Sequence, residues 1–147
     1  MKHLHLSLHR VRQAGFTLIE LMVVLVIIGV LAALIVPNVL DRAEDARVTA
    51  ARTDVNNLIQ ALKLYKLDNQ RYPTSEQGLQ ALRIKPNDNT NGWNGPYLPQ
   101  DVPKDPWGHD YVYECPGKNN TSSYDILSMG LDGRAGTEDD VTNWQLK

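Results

Sequence analysis

Cysteine and excess positive charge are the two features that this sequence most clearly lacks. Its 147 residues contain one cysteine, Cys115, which excludes an intramolecular disulfide and any zinc site built from several thiolates. Fifteen basic and 17 acidic side chains give a formal net charge of −2, so no nucleic-acid partner is expected. The sequence also lacks a Gly-x-Ser-x-Gly frame around an activated serine and a phosphate-binding loop, and no enzymatic activity is predicted.

The apolar residues, in contrast, are concentrated in one segment near the N-terminus. Residues 16–36 are apolar except for Thr17, Glu20 and Gly29, and the segment has the roughly 20 residues that span a bilayer core. The remaining sequence is too polar to surround such a helix in a soluble core. Residues 1–15 contain basic side chains and no acid, so the positive-inside rule places them in the cytoplasm and the rest of the chain outside.

The small residue that would suit a processing site precedes the apolar segment. Ala32-Ala33-Leu34 is a poor match to the Ala-x-Ala site that follows an ordinary secretory signal. Cleavage after Gly15 would instead remove the basic leader, retain the membrane helix and create a new α-amino group on Phe16. The sequence therefore favours an anchored chain over a secreted one.

Glu20 is the one ionisable residue within the apolar segment. A carboxylate at membrane depth costs about 2.5–3.5 kcal/mol, so a partner is expected. Two interpretations remain open. In one, Glu20 lies in the headgroup layer and reaches water; in the other, the new amine of Phe16, in the same or a neighbouring copy, neutralises it and sets the register of a helical bundle.

The start of the apolar segment resembles the class III signal of type IV pilins and pseudopilins. Its sequence is Gly15-Phe16-Thr17-Leu18-Ile19-Glu20, with a basic leader before it and an apolar helix after it. The resemblance implies that a membrane prepilin peptidase cuts after Gly15 and methylates the amino group of Phe16. It also implies that Glu20 takes part in subunit docking.

Further motifs are similar to the major pseudopilin family of the type II secretion system. They are Tyr65-Lys66-Leu67-Asp68-Asn69, Tyr72-Pro73-Thr74, Gln77-Gly78-Leu79, Trp93-Asn94-Gly95-Pro96-Tyr97, Asp105-Pro106-Trp107-Gly108 and Asp132-Gly133. The similarity covers nearly the whole chain after Gly15. It implies an α+β, type IV pilin-like fold: a long N-terminal helix packed on a small antiparallel sheet, with a C-terminal metal-binding loop.

The residues themselves lead to a compatible fold. An apolar stripe at three- and four-residue spacing predicts that the helix continues past Pro37 to about Asp68. Thr74-Ser75-Glu76-Gln77 reads as a capping box that begins a short helix through Leu82. Segments 111–115 and 124–128 read as strands separated by a turn-forming cluster. The expected organisation is a cleaved leader (1–15), a membrane helix (16–36) and a periplasmic head (37–147).

Residues 132–140 concentrate oxygen ligands in a glycine-containing turn. From chemistry alone, a solvated acidic turn is the favoured interpretation, because the acids do not follow the EF-hand spacing. The resemblance implies a calcium site instead, since major pseudopilins carry one in this loop. The matching side-chain ligands are Asp132, Asp139, Asp140 and Thr137, and the backbone carbonyls of Met129 and Arg134 would complete the shell.

The leading functional hypothesis is a structural subunit that polymerises into a short periplasmic filament, the pseudopilus, anchored in the bacterial inner membrane. By resemblance, its partners are further copies of itself, minor pseudopilins, the prepilin peptidase and an inner-membrane secretion platform. The alternative is a type IV major pilin for adhesion, motility or DNA uptake. Such pilins commonly carry a C-terminal disulfide loop, which a chain with one cysteine cannot form.

Overall fold

The structure, a computed structural model, describes residues 15–87 and 92–145, without the side chains of residues 36–39. Residues 1–14 of the expected leader lie outside the described residues. The elements, in chain order, are helix α1 (Leu18–Asn69), a 3₁₀ helix (Leu79–Leu82) and strands β1 (Val112–Glu114), β2 (Asp125–Ser128) and β3 (Val141–Thr142). A long N-terminal helix with a small antiparallel sheet confirms the predicted α+β class.

The chain divides into two compact units, Met1–Asp41 and Arg42–Lys147, and α1 contributes residues to both. As predicted, the helix does not end at Pro37. In the described part of the first unit the large apolar side chains are exposed, for example Phe16 at 88% and Leu25 at 60%. The helix is long and apolar enough there to cross a membrane, and its most apolar 18 residues are not buried within the chain.

The second unit, Arg42–Lys147, comprises most of the predicted head and is called the head from here on. In it, α1 supplies a continuous buried stripe. Val55, Leu58, Leu62 and Tyr65 are each 1% exposed or less, because spacings of three and four residues place them on one face of the helix. The stripe packs with apolar residues from the 3₁₀ helix, the loops and the sheet. These include Leu79, Leu82, Leu98, Tyr111, Tyr124, Ile126 and Val141.

The sheet has the order β1-β2-β3, with both pairs antiparallel. Tyr113 pairs with Ile126 across β1 and β2, and Ser128 pairs with Val141 across β2 and β3. The first two strands lie within the segments predicted from sequence. The third was not predicted, because its two residues are too few for an alternating pattern.

The capping box forms its reciprocal hydrogen bonds, but a regular helix does not follow it directly. The Thr74 amide donates to Gln77 Oε1 (2.9 Å), and the Gln77 amide donates to Thr74 Oγ1 (3.2 Å). Residues 75–78 form a turn, and Gly78 has φ +58°, a conformation that interrupts a right-handed helix. Only the four residues Leu79–Leu82 then form a 3₁₀ helix, so the predicted helix is shorter than expected.

Candidate functional site

The acidic loop is the connection between β2 and β3. β2 ends at Ser128, β3 begins at Val141, and residues 129–140 join the paired ends of these two antiparallel strands. Every ligand position expected from the sequence lies in this connection. The short β3, which sequence analysis missed, is therefore the element that holds the far end of the loop.

Thr137 lies at the centre of the oxygen atoms in the loop. Its hydroxyl oxygen is 2.6 Å from Asp139 Oδ1, 3.0 Å from the Arg134 carbonyl oxygen and 3.3 Å from Asp132 Oδ1. The Asp132 amide also donates to Asp139 Oδ2 at 2.9 Å. The structure thus brings together four of the six expected ligand residues, Asp132, Arg134, Thr137 and Asp139.

Asp140 is held differently from the other two aspartates. Its Oδ2 accepts a hydrogen bond from the Gly136 amide at 2.6 Å, whereas its buried Oδ1 has no hydrogen-bond partner. An unpaired buried carboxylate oxygen is costly unless a donor or a cation satisfies it. The donor set therefore fits a hard cation such as calcium, which prefers carboxylate, hydroxyl and carbonyl oxygens.

The three carboxylates do not by themselves form a closed cage. In residues 15–87 and 92–145, no group of three or more His, Cys, Asp or Glu side chains is arranged to hold a metal ion. The hydroxyl of Thr137 and the backbone carbonyls are part of the expected donor set, and Met129 lies directly after β2 where the loop begins.

The Asp139 carboxylate is already stabilised as an anion by its neighbours. Hydrogen bonds from the Thr137 hydroxyl and the Asp132 amide lower the pKa of Asp139 and outweigh the opposing effect of desolvation. Gly130 makes this position possible, since a Cβ there would overlap the carbonyl and carboxylate of Asp139. Gly130 also has φ +60°, which favours glycine.

The buried carboxylate of Asp105 connects the start of the acidic loop to the turn that follows Asp105, which lies before β1 in the chain. Asp105, 4% exposed, accepts hydrogen bonds from Ser128 Oγ (2.5 Å) and from the amides of Trp107 (3.1 Å) and His109 (2.7 Å). Ser128 Oγ in turn accepts from the Gly130 amide at 3.2 Å. Because the Ser128 hydroxyl is fully buried and donates to a carboxylate, this network anchors the loop and does not activate a nucleophile.

At the other end of the chain, Glu20 already has a partner in a single copy. The amide and hydroxyl of Thr17 donate to Glu20 Oε2 at 3.0 and 3.1 Å, and the Glu20 amide donates to Thr17 Oγ1 at 3.2 Å. Sequence analysis missed Thr17, although Thr-x-x-Glu before an apolar run is the capping-box pattern that would have identified it. Gly15 and Phe16 precede this cap and are exposed.

Two family models match this chain, one over the N-terminal segment and one over most of the remaining residues. Residues 10–36 match the family model described as the prokaryotic N-terminal methylation motif, which includes Gly15, Phe16 and Glu20. Residues 38–144 match the family model described as type II secretion system protein G. The chain belongs to the type II secretion system protein G family.

Relatives in that family are similar along almost their whole length. The type II secretion system core protein G of Aeromonas hydrophila is 50% identical over 139 residues, which cover 92% of this chain and 95% of the relative. The protein of the same name from Escherichia coli K12 is 49% identical over 142 residues, covering 92% and 93%. The resemblance inferred from the sequence motifs is therefore confirmed.

A solved structure from the same group confirms the fold. The major pseudopilin of the type 2 secretion system of enterohaemorrhagic Escherichia coli superposes with a TM-score of 0.63 at 41% identity, covering 75% of this chain and 96% of that one. The match agrees with a structural subunit of the protein G family and does not favour the type IV pilin alternative.

Proposed function

We propose that this protein G family member is the major structural subunit of a pseudopilus, a short periplasmic filament that supports export of folded proteins across the outer membrane. The observation that carries the proposal is the most apolar 18-residue stretch of α1, which among the described residues is not buried within one chain. A single copy can satisfy such a surface in a lipid bilayer, and many copies can satisfy it by packing against each other. The protein then moves from membrane anchor to filament core without changing its own fold.

Processing at Gly15 prepares the chain for assembly. A prepilin peptidase removes residues 1–15 and methylates the amine of Phe16, as the match to the methylation motif supports. Exposure of Gly15 and Phe16 before the helical cap leaves the peptide bond between them accessible. The apolar helix itself is untouched by this cleavage and keeps the head on the periplasmic side of the inner membrane.

Glu20 acts in docking of one copy on the next. Within one chain its carboxylate is satisfied by Thr17, which lowers the cost of placing Glu20 in the membrane before assembly. In the filament the cationic Phe16 amine of a neighbouring copy pairs with Glu20, because a charged donor bonds a carboxylate more strongly than a hydroxyl does. The exchange of partners fixes the axial register of the bundle.

Calcium binds the acidic loop through Asp132, Asp139, Asp140 and Thr137, with the carbonyls of Met129 and Arg134. The convergence of oxygens on Thr137 and the unpaired Oδ1 of Asp140 support this donor set. The ion would neutralise carboxylates that otherwise repel each other and would link both ends of the loop. Its role is structural, since the loop contains no group poised for catalysis.

The partners follow from this role: further copies of the chain, minor pseudopilins, the prepilin peptidase and the inner-membrane secretion platform.

Deletion of the gene tests the proposal directly. We expect folded exoproteins to accumulate in the periplasm while surface pili remain intact, and the full-length chain to restore release. Loss of surface pili with normal exoprotein release would contradict the proposal and favour a type IV pilin.

Two measurements test the assembly steps separately. Mass spectrometry of the membrane form should show loss of residues 1–15 and one added methyl group on Phe16, and an intact leader would contradict the processing step. Glu20→Leu should leave membrane insertion unchanged and abolish filaments that can be sheared from the cells. Normal filament yield in Glu20→Leu would show that Glu20 has no docking role.

A further inference from the structure

The turn at residues 105–109 contacts the acidic loop at two places. The first is the hydrogen bond from Ser128 Oγ to Asp105 at the start of the loop. The second is farther along, where the ring of His109 lies against Gly133: a Cβ on Gly133 would be 3.1 Å from His109 Nε2 and 3.2 Å from Cε1. Both distances are shorter than an ordinary van der Waals contact, so the ring fills the space that a side chain at residue 133 would need.

His109 is itself held by the buried carboxylate of Asp105. The His109 amide donates to Asp105 Oδ1 at 2.7 Å, and the Asp105 amide donates to the His109 carbonyl at 2.8 Å, which closes the turn. On the ring, Nδ1 lies 3.6 Å from Asp105 Oδ2. The imidazole therefore reaches from a buried, hydrogen-bonded carboxylate to the backbone of the acidic loop.

The residue that the ring contacts lies between two expected calcium ligands. Asp132 and Arg134 flank Gly133, and the Arg134 amide donates to Asp132 Oδ1 at 2.8 Å. Both flanking residues are exposed, so burial does not fix this part of the loop, and Gly133 has φ +68° and no side chain to restrict it. A flexible segment must lose conformational freedom when it binds an ion, and this loss lowers the affinity. A contact that already holds Gly133 reduces that cost.

We propose that His109 is a positioning residue of the calcium site and acts on the ligands through Gly133. The ring supports the glycine backbone and thereby holds the Asp132 carboxylate and the Arg134 carbonyl in place for the ion. This inference rests on the proposed calcium site. The ring supplies no ligand atom, because its Nδ1 faces Asp105 and its Nε2 lies against Gly133. Removal of residues that orient metal ligands typically weakens metal binding about 10- to 100-fold.

Calcium titration of the full chain in detergent micelles tests this role. By isothermal titration calorimetry with calcium chloride, His109→Ala should have a Kd about tenfold higher than that of the unsubstituted chain. The His109 side chain is 34% exposed, so its loss leaves no closed cavity and should lower the melting temperature in chelator only slightly. A clearly lowered melting temperature in chelator with an unchanged Kd would mean that His109 only stabilises the head, and it would overturn the inference.

Two further variants distinguish the ring of His109 from its polar atoms. His109→Phe keeps a flat ring that reaches Gly133 and should retain the Kd of the unsubstituted chain. His109→Asn keeps a polar group near Asp105 but is too short to reach Gly133, so it should bind calcium as weakly as His109→Ala. The opposite order, with tight binding in His109→Asn and weak binding in His109→Phe, would show that the contact with Asp105 carries the effect and would overturn the inference.

Alanine at two glycines of the acidic loop tests the contact itself. Gly133 and Gly136 have φ of +68° and +91°, so alanine should strain the backbone and weaken calcium binding at either position. A Cβ on Gly136 would meet no heavy atom of the described residues within 4 Å, whereas one on Gly133 meets the ring. Adding His109→Ala should therefore raise the Kd of Gly136→Ala by the same factor of about ten but change the Kd of Gly133→Ala little. Equal factors in both backgrounds would show that the ring does not act through Gly133 and would overturn the inference.

The outcomes separate this inference from the proposed calcium site. The same Kd for calcium in the unsubstituted chain and in His109→Ala would overturn the positioning role and leave the calcium site standing. An unsubstituted chain that takes up no calcium would instead contradict the calcium site itself, and the positioning role with it.

Discussion

The two halves of α1 use similar side chains in opposite ways. Leu25, in the unit that contains the apolar segment, is 60% exposed, whereas Leu58, in the head, is 1% exposed. The first half is apolar on all faces, and the second places its apolar residues on one stripe. A helix that is apolar all round requires lipid or other protein copies as its environment, while a single stripe can be covered by a small sheet of the same chain.

This difference means that the second half of α1 contributes to folding of the head, whereas the first half contributes to assembly. Burial of a leucine is worth about 1.5–3 kcal/mol, so the stripe of α1 contributes substantially to the stability of the head. The exposed leucines of the first half contribute to insertion and to packing between copies. Substitutions of the same type should therefore have different effects in the two halves.

The largest expected effect is a truncation in the buried stripe. Leu62→Ala, at a position that is 0% exposed, should lower the free energy of unfolding of the head by about 2–5 kcal/mol, because it leaves a cavity. The measurement is denaturant unfolding of the full chain in detergent micelles followed by tryptophan fluorescence, since all three tryptophans lie after residue 92. Leu25→Ala is the matched control and should leave the unfolding midpoint unchanged. Equal losses of unfolding free energy in Leu62→Ala and Leu25→Ala would contradict the different roles of the two halves of α1.

The second-largest expected effect is that of removing the proposed calcium ion. A ligand present at 100 times its Kd stabilises the folded state by about 2.7 kcal/mol, so chelation should lower the melting temperature of the head and block filament assembly. Asp140→Asn should melt at the lower temperature with or without added calcium, because it removes the carboxylate whose Oδ1 is unpaired. Glu138→Gln, an adjacent exposed acid outside the expected ligand set, is the control and should respond like the unsubstituted chain. A melt of the unsubstituted chain that neither chelator nor calcium shifts would refute calcium binding.

The elements that could be predicted from the sequence are those with a long, regular local pattern. Long periodic or uniformly apolar patterns identified both halves of α1, and the alternating segments located β1 and β2. β3 has only two residues, and it exists because Val141 and Thr142 pair with β2, a long-range contact without a local signal. In the acidic loop, residue types alone favoured a solvated turn and the family resemblance implied the calcium ligands, whereas the position of Thr137 close to the other oxygens depends on the folded backbone. Thr17 was different, since its capping pattern was present in the sequence and was not recognised.

Acid should weaken the head through Asp125, a buried carboxylate at the start of β2. Its two oxygens accept four hydrogen bonds of 2.7–3.1 Å from the amides and side chains of Asn119 and Asn120. Burial raises the pKa of Asp125, but these hydrogen bonds outweigh it and hold the pKa below its ordinary value of 3.8. A lowered folded-state pKa means that the stabilisation is present above the unfolded-state pKa and is lost as the pH falls through the folded-state pKa.

The measurement is the free energy of unfolding from pH 7 to pH 2 for the unsubstituted chain and for Asp125→Asn. The variant should be about 2 kcal/mol less stable at pH 7, because the charge-assisted hydrogen bonds of the buried Asp125 carboxylate are lost. The difference in free energy of unfolding between the two proteins should narrow as the pH falls below 3.8, the ordinary value. Asp139, whose pKa is also lowered, loses its contribution equally in both proteins and does not affect the difference. A difference that stays constant over the whole pH range would show that ionised Asp125 does not stabilise the head.

The smallest expected effect is that of removing one hydrogen bond that helps to hold α1 in the head. Trp107 Nε1 donates to Glu44 Oε1 at 2.8 Å, and Arg47 lies 3.5 Å from the other oxygen of Glu44. Trp107→Phe keeps much of the aromatic surface and removes the donor. Because the Glu44 side chain is 34% exposed, water can replace part of that hydrogen bond, and the expected loss is about 1 kcal/mol. A double-mutant cycle with Glu44→Gln, measured by far-ultraviolet circular dichroism, isolates the contact from the lost packing. Strict additivity of the two substitutions would mean that packing alone, as in the buried stripe, holds this part of α1.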